Sequence, residues 1–444
     1  MISNEERKMT LAATGDSLII RRISVHGETD LIRIIRDADV RYTNCETTIH
    51  DYKGYPMVEL GPTGMIAEPY IAEELKWLGF NIVSFANNHT MDYDVEGMLA
   101  TCDNLRKSGL VCAGAGMNLA EARGPAFLDT AKGRVALISA YAIEMGSSLT
   151  RYGMAGESRP DIQGRPGFNP VRFEVYHVAE PEMIEELKRM SSKMRLTRRD
   201  QIPSWARLMT KPNSPPDFWF RKRRFVEAGK GDELGIHTVA YEKDVEGNLR
   251  YIKDAARRTD FVMMSFHSHA PVAGVEIPDV PASFVPAFAR ACIDAGADVF
   301  VGHGPHVLQG IEIYKGKPIF YSLGNLILEA GAIRKFPADI YEEYGLGLDA
   351  TPSDFLVVKN LSHMNEGAWI SVVAKCTFES GKLTGLKLHP ITLYGIKRGL
   401  ELGAPKLADA TTARKIIEQL QRLSAPYGTK IEFLEGSGLV EFKE

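Results

Sequence analysis

The chain has 444 residues, a formal net charge of −4 and 44% hydrophobic residues, which is the composition of an ordinary globular protein. The near-neutral balance gives no electrostatic reason to expect nucleic acid or a membrane as partner. No stretch approaches the roughly 20 apolar residues of a membrane span, and the opening MISNEERKMTLAATGDS lacks the apolar core of a signal peptide, so the expectation is a soluble, cytoplasmic protein.

In chain order, MTLAATG is an apolar run ending at Gly15 and Asp16, and DLIRIIRDA has helical spacing of its aliphatics. DVRYTNCE reads as a second strand, and EPYIAEELKWLG as an amphipathic helix closed by Gly79. Ile82 to Ala86 is a buried strand that stops at Asn87, Asn88 and His89, with a helix expected from Asp92 to Gly109. AFLDTAKGRVALISAYA reads as a hairpin turning at Lys132-Gly133. This alternation predicts an α/β protein, a sheet covered by helices. Residues 143–242 change character and read as an irregular insertion over one face of the sheet, a lid or a surface for a homodimer. Within it RKRR, 221–224, is either a solvated charge run or a clamp for an anionic substrate. The alternation resumes over 243–328 with the strands FVMMSFHSH and DVFVGHG, and two short strands turn at Lys315-Gly316. From 329 to 444 the expectation is a long loop to 367, a late hairpin turning near Ser380-Gly381 and one C-terminal helix, DATTARKIIEQLQRL. The five cysteines are scattered without CxxC spacing, as reduced thiols are.

The chemistry lies where the apolar strands stop. One ends at Asp16, another at Asn44 and Glu46, a third at Asn88 and His89; later ones end at His267 and His269, and at His303 and His306. Ligand sites of open α/β sheets assemble at the carboxyl ends of strands. Carboxylates, an amide and imidazoles suit divalent transition metals; calcium takes mainly oxygen ligands. Taken singly, Asp16 reads as a turn cap, Asn87 or Asn88 as a helix cap and His267 as a core histidine. The same ending on five strands favours a shared site.

GDSL, NCETTI, SFANNHTMDYDVEGM, GAGMNLAEA, SFHSH and GADVFVGHGPHVLQGIEIYKGKPIFYSLGN together resemble the CapA proteins of poly-γ-glutamate capsule synthesis, a branch of the calcineurin-like metallophosphoesterase superfamily. The resemblance covers roughly 9–140 and 245–328. It implies a four-layered α/β/β/α sandwich with one or two divalent ions (manganese, zinc or iron) at one edge. By motif, Asp16 and His306 serve the first metal, Glu46 lies near or between the metals, and Asn88, His267 and His303 serve the second. His89 is the adjacent acid-base group. Two departures weaken the likeness to phosphatases: Leu18 stands where they carry the histidine of Asp-x-His, and Asn-x-Glu replaces their bridging aspartate.

The resemblance therefore implies hydrolysis or transfer at an amide or peptide bond of γ-glutamyl type, in a small-molecule or peptide substrate that carries carboxylates. Asn44, Asn87, Arg159 and Arg165 are the candidates to touch substrate, with Arg172 a further carboxylate clamp. Two alternatives stand beside it. One is a metal-assisted peptide epimerase, with His89 and His269 as paired acid-base groups; the other is an accessory protein of capsule assembly without catalysis.

Overall fold

The computed structural model describes residues 8–57, 64–147, 153–209, 218–272, 279–329, 333, 336, 338–347, 349–359, 366–393 and 403–442. Strand β1 (Lys8–Leu18) runs through the middle of the first sheet. Strands β2 (Val40–Cys45), β3 (Ile82–Ser84) and β4 (Val111–Ala113) follow it in parallel on one side. The second sheet has a parallel centre in the order β6 (Pro170–Ala179), β5 (Gly133–Glu144), β7 (Phe261–Ser268), β8 (Val299–His303). On the far side of β1 lie β9 (Asn325–Leu328), parallel to its last residues, and the antiparallel hairpin β10 (Ile370–Glu379) and β11 (Lys382–Leu393).

Period-two burial sorts the strand residues into layers. In β7, Phe261 and Met263 face the first sheet and share a core with Leu11, Ala13, Val40, Ile82, Val135, Leu137, Val299 and Val301. Their neighbours Val262, Met264 and Phe266 face outward, onto α4 (Glu242–Ala256) and α5 (Val285–Asp294). The outer face of the first sheet packs on α1 (Asp30–Arg36), α2 (Ile71–Leu78) and α3 (Asp94–Lys107). Helix, sheet, sheet, helix: this is the expected α/β/β/α sandwich. The C-terminal helix α6 (Ala410–Ser424) buries Ile416, Ile417 and Leu420 against the inter-sheet core.

Three readings change. Helix α3 begins at Asp94, two residues later than expected, which leaves Asp92 in the loop after β3. The stretch 143–242 is more regular than expected: β6 and the strands Phe218–Phe220, Arg223–Glu227 and Gly235–Ala240 extend the second sheet sideways, and helix Pro181–Lys193 packs against the first two of those three strands. Its residues 148–152 and 210–217 lie outside the described ones. The loop expected over 329–367 contains helices Ala338–Glu343 and Pro352–Lys359, although much of its remainder also lies outside the described residues.

Candidate metal centre

The parallel strands of both sheets run toward one edge, and the polar residues that end them meet there. Gly15 brings β1 against the chain entering β9: a Cβ on it would lie 1.8 Å from the Gly324 carbonyl oxygen. Asp16 follows, its N–H donating to Gly324 O at 2.9 Å. Its carboxylate accepts from Asn44 Nδ2 (2.8 Å) and from the Gly304 N–H (3.0 Å). Gly304 has φ +119°, and a Cβ there would strike the Ser268 backbone, so Gly-His-Gly-Pro-His folds tightly over Asp16. His306, two residues on, is held at φ +60°, an uncommon backbone for a residue with a side chain. Its Nδ1 lies 2.8 Å from Asn325 Oδ1, which leaves Nε2 directed at Glu46 Oε1, 3.8 Å away.

Around Asp16 and Glu46 the imidazoles close in. His303 Nδ1 lies 3.3 Å from Asp16 Oδ1 and 2.8 Å from His267 Nδ1. His267 Nε2 lies 3.6 Å from Glu46 Oε1. The ligand atoms of Asp16, His267 and His303 lie within 4.8 Å of one another, as do those of Glu46, His267 and His269, and those of Asp16, Glu46 and His306. His269 sits at the exposed rim, its ring 4.9 Å from that of His267 and 5.4 Å from that of His306. His89 stands beside Glu46 with Nε2 4.0 Å from Oε1, while its Nδ1 lies 2.7 Å from Asp92 Oδ2.

The electrostatics of this pocket suit a cation. Burial alone would raise the Asp16 carboxyl, but His267 and His303 outweigh it and hold Asp16 well below its ordinary pKa. Burial, reinforced by the Asp16 charge, pushes Glu46 well above its own. Burial also lowers His267 to about 3 and lowers His306, so both rings stay neutral and keep a lone pair for ligation. Glu46 Oε1 and Oε2 and His267 Nε2 are buried here without a hydrogen-bond partner, as is Asn88 Oδ1 on the loop after β3. Buried polar atoms are ordinarily satisfied; the Glu46 and His267 orphans, gathered beside Asp16, fit a divalent ion bound by carboxylate and imidazole.

The other expected residues sit as follows. Asn44 and Asn87, expected to touch substrate, are fully buried. Asn87 Nδ2 donates to Cys45 O (2.8 Å), and its Oδ1 accepts from the His89 N–H (3.1 Å), shaping the loop that carries Asn88 and His89. Arg159 is exposed and pairs with Asp161 at 3.1 Å; Arg165 is exposed and donates from Nε to Met154 O. Arg172 makes a two-pronged pair with Asp244 and stacks on Tyr241. In the RKRR run, Arg221 and Lys222 form a hairpin turn, while Arg223 and Arg224 pair with Glu144 and Glu174. Sequence reasoning missed Asp92, Asn325 and Tyr141, whose ring meets His267 edge-on at 5.6 Å between centroids. Asp92 was the one open to detection, three residues after His89.

The layering and the donors gathered at its strand ends define the class: an α/β/β/α sandwich with buried acidic and histidine groups positioned to bind a metal. The model of the bacterial capsule synthesis protein family PGA_cap matches residues 10–330, and the chain belongs to that family. Two proteins of Sinorhizobium fredii (strain NBRC 101917 / NGR234), described as uncharacterized proteins y4sH and y4uA, are each 35% identical over 97% of this chain and 92% of theirs. The PGA biosynthesis protein CapA of Bacillus subtilis (strain 168) is 27% identical over 59% of this chain, a match that takes in 46% of that protein. A solved structure, that of a hypothetical protein from Thermus thermophilus, aligns with a TM-score of 0.37 and 11% identity over 86% of this chain and 98% of that one. Among the described residues no helix is long and apolar enough to cross a membrane.

Proposed function

We propose that the protein is a metal-dependent enzyme that hydrolyses or transfers an amide bond of γ-glutamyl type, in a small-molecule or peptide substrate bearing carboxylates. The observation that carries this reading is His89: its ring is buried beside the metal-competent cluster, tethered through Nδ1 to Asp92 (2.7 Å), with Nε2 turned to Glu46. That tether suits a proton-transfer group, because it fixes both ring orientation and tautomer. Asp16, Glu46, Asn88, His267, His303 and His306 would hold the cation, with His269 at the rim. A bound divalent ion supplies Lewis acidity and an activated water at near-neutral pH. His89 would then hand a proton from Nε2 to the departing amine, and Asp92 would stabilise the imidazolium that precedes the transfer. The amide substrate is supported by membership of a capsule synthesis family and by the relative described as a PGA biosynthesis protein.

The test is turnover by manganese-, zinc- or iron-loaded protein across γ-glutamyl, α-peptide and phosphoester substrates. Cleavage or transfer of the first group is expected. Phosphoester turnover alone would overturn the substrate class, and deuterium uptake at a peptide α-carbon without cleavage would replace hydrolysis by epimerisation. A protein that retains no metal after loading would remove the metal centre altogether.

A further inference from the structure

Below the cluster, where the apolar inter-sheet core ends, three hydroxyls lie buried together: Tyr42 on β2, Ser84 on β3 and Ser265 on β7. Tyr42 Oη lies 2.8 Å from Ser84 Oγ, 2.7 Å from Ser265 Oγ and 3.0 Å from His303 Nε2; Ser265 Oγ is also 2.9 Å from His303 Nε2. Each hydroxyl has a single hydrogen to give, and counting those hydrogens settles which ring nitrogen of His303 carries its own.

The count starts at Asp16, whose two oxygens accept from Asn44 Nδ2 and the Gly304 N–H. A carboxylate offers no hydrogen, so Asn44 turns its NH2 toward Asp16 and its Oδ1 away. Ser84 Oγ, 2.8 Å from that Oδ1, must donate to it. The hydrogen between Ser84 and Tyr42 is therefore Tyr42's. With Tyr42's hydrogen committed, the one between Tyr42 and Ser265 comes from Ser265. Both hydroxyls that touch His303 Nε2 have then given theirs away, and each can only accept. The ring must carry Nε2–H, and Nδ1, 3.3 Å from Asp16 Oδ1, is left as its only ligating atom; the hydrogen in its 2.8 Å contact with His267 Nδ1 is then the one on His267.

We infer that Tyr42, through the Ser84 and Ser265 hydroxyls, is a positioning residue that fixes the tautomer of His303 and presents its Nδ1 to the cation. This rests on the metal reading above and assigns a role to three residues that touch no substrate. The hydrogen-bonded chain also ties His303 to Asp16 through Asn44, so the two groups on opposite sheets are oriented together. Partners of this kind behind a metal-bound imidazole are worth about 10- to 100-fold in metal affinity.

The experiment combines a cobalt(II) titration with 15N-histidine NMR on the full chain, with His303 signals identified by their loss in His303→Gln. The wild type should show His303 as the Nε2–H tautomer before cobalt is added. Tyr42→Phe and Ser265→Ala should each mix in the other tautomer and weaken cobalt binding by about 10-fold or more. Thr14→Val removes a buried hydroxyl that donates to the Tyr42 carbonyl at 2.9 Å without touching His303, and should bind within about twofold of wild type. Should Tyr42→Phe fail to fold, Ser265→Ala carries the comparison. Wild-type affinity and an unchanged tautomer in the folded variants, or an Nδ1–H tautomer in the wild type, would overturn the inference. A wild type that takes up no cobalt would overturn the metal reading instead, while the NMR still decides the tautomer.

Discussion

At the scale of single residues, the proposed proton transfer rests on the contact between His89 and Asp92. Asp92 Oδ2 lies 2.7 Å from His89 Nδ1 and also accepts the Met65 N–H at 2.6 Å, so the carboxylate is fixed from two sides. His89→Ala should abolish turnover and leave metal content near wild type, because Nε2 stays 4.0 Å from the nearest carboxylate oxygen and is not central to the donor set. Asp92→Asn keeps the shape and removes the charge behind the ring; turnover should fall by about a hundredfold or more, by analogy with triads that lose the orienting carboxylate. Steady-state kinetics with metal analysis of the same samples checks both, and full activity in either variant would remove the pair as acid-base machinery. The site residues differ in how well their sequence context exposed them. Asp16, Glu46, Asn88, His267, His303 and His306 announce themselves as polar groups at the ends of apolar strands. Asp92 does not, because an acidic residue before a helix is ordinary helix-start chemistry. Tyr42, Ser84 and Ser265 stand in regular strand alternation, and their meaning appears only when two sheets from distant parts of the chain pack face to face.

At the scale of elements, the hairpins show why some turns are legible and others are not. Lys315-Gly316 (φ 52° and 73°), Ser380-Gly381 (51° and 76°) and Glu435-Gly436 (49° and 76°) are two-residue turns with both φ positive. That conformation matches strand twist and favours glycine, so the first two were readable as turns between apolar runs. Arg221-Lys222 has the same form (φ 46° and 66°) without a glycine, so its hairpin was hidden in a basic run. A side chain in left-handed backbone costs about 1–2 kcal/mol per residue, partly offset by the greater unfolded-state entropy of glycine. Lys222→Gly should therefore stabilise the protein by about 0.5–1 kcal/mol, by relieving strain in the folded hairpin. Its N–H, which donates to Gln201 O at 2.7 Å, is retained. Urea unfolding checks the shift in midpoint; a destabilised variant would mean that the lysine stem holds the turn. Within 143–242, β6 keeps its alternation, with Val171, Phe173 and Val175 buried and Arg172 and Glu174 between them, whereas the short strands Phe218–Phe220 and Arg223–Glu227 are too brief to show a period and find partners only by extending the second sheet.

At the scale of the whole molecule, the layer order was legible because helical and strand periods alternate through 9–140 and again from 243. Which strand neighbours which was not, since β1 finds β9 and β10 more than three hundred residues away. The loops between layers also hold a group that couples the fold to pH. His50 is 1% exposed at the end of the short strand Thr48–Ile49, and its ring meets Tyr93 edge-on at 4.9 Å. Its Nδ1 accepts the Lys53 N–H at 3.0 Å, while Nε2 is buried without a partner. Burial outweighs the attraction of Asp51 and lowers His50 to about 4, from an ordinary 6.5. The folded state therefore keeps His50 neutral where the unfolded chain protonates it. Between pH 6.5 and 4 the unfolded state binds the extra proton, so this contribution is complete above 6.5 and is lost as pH falls toward 4. Its size is on the order of 3 kcal/mol. His50→Asn keeps an acceptor for the Lys53 N–H and does not titrate. It should cost about 1 kcal/mol at pH 8 through lost ring packing, and its stability should fall less steeply below pH 6.5, so that the gap closes or reverses near pH 4.5. Urea unfolding of both proteins in half-unit pH steps measures this, and parallel curves would rule His50 out as the acid-sensitive group. Because Met57 N donates to Asp92 O and Met65 N to its carboxylate, both from the chain that leads away from His50, acid loosening at His50 should also reduce activity before the fold is lost.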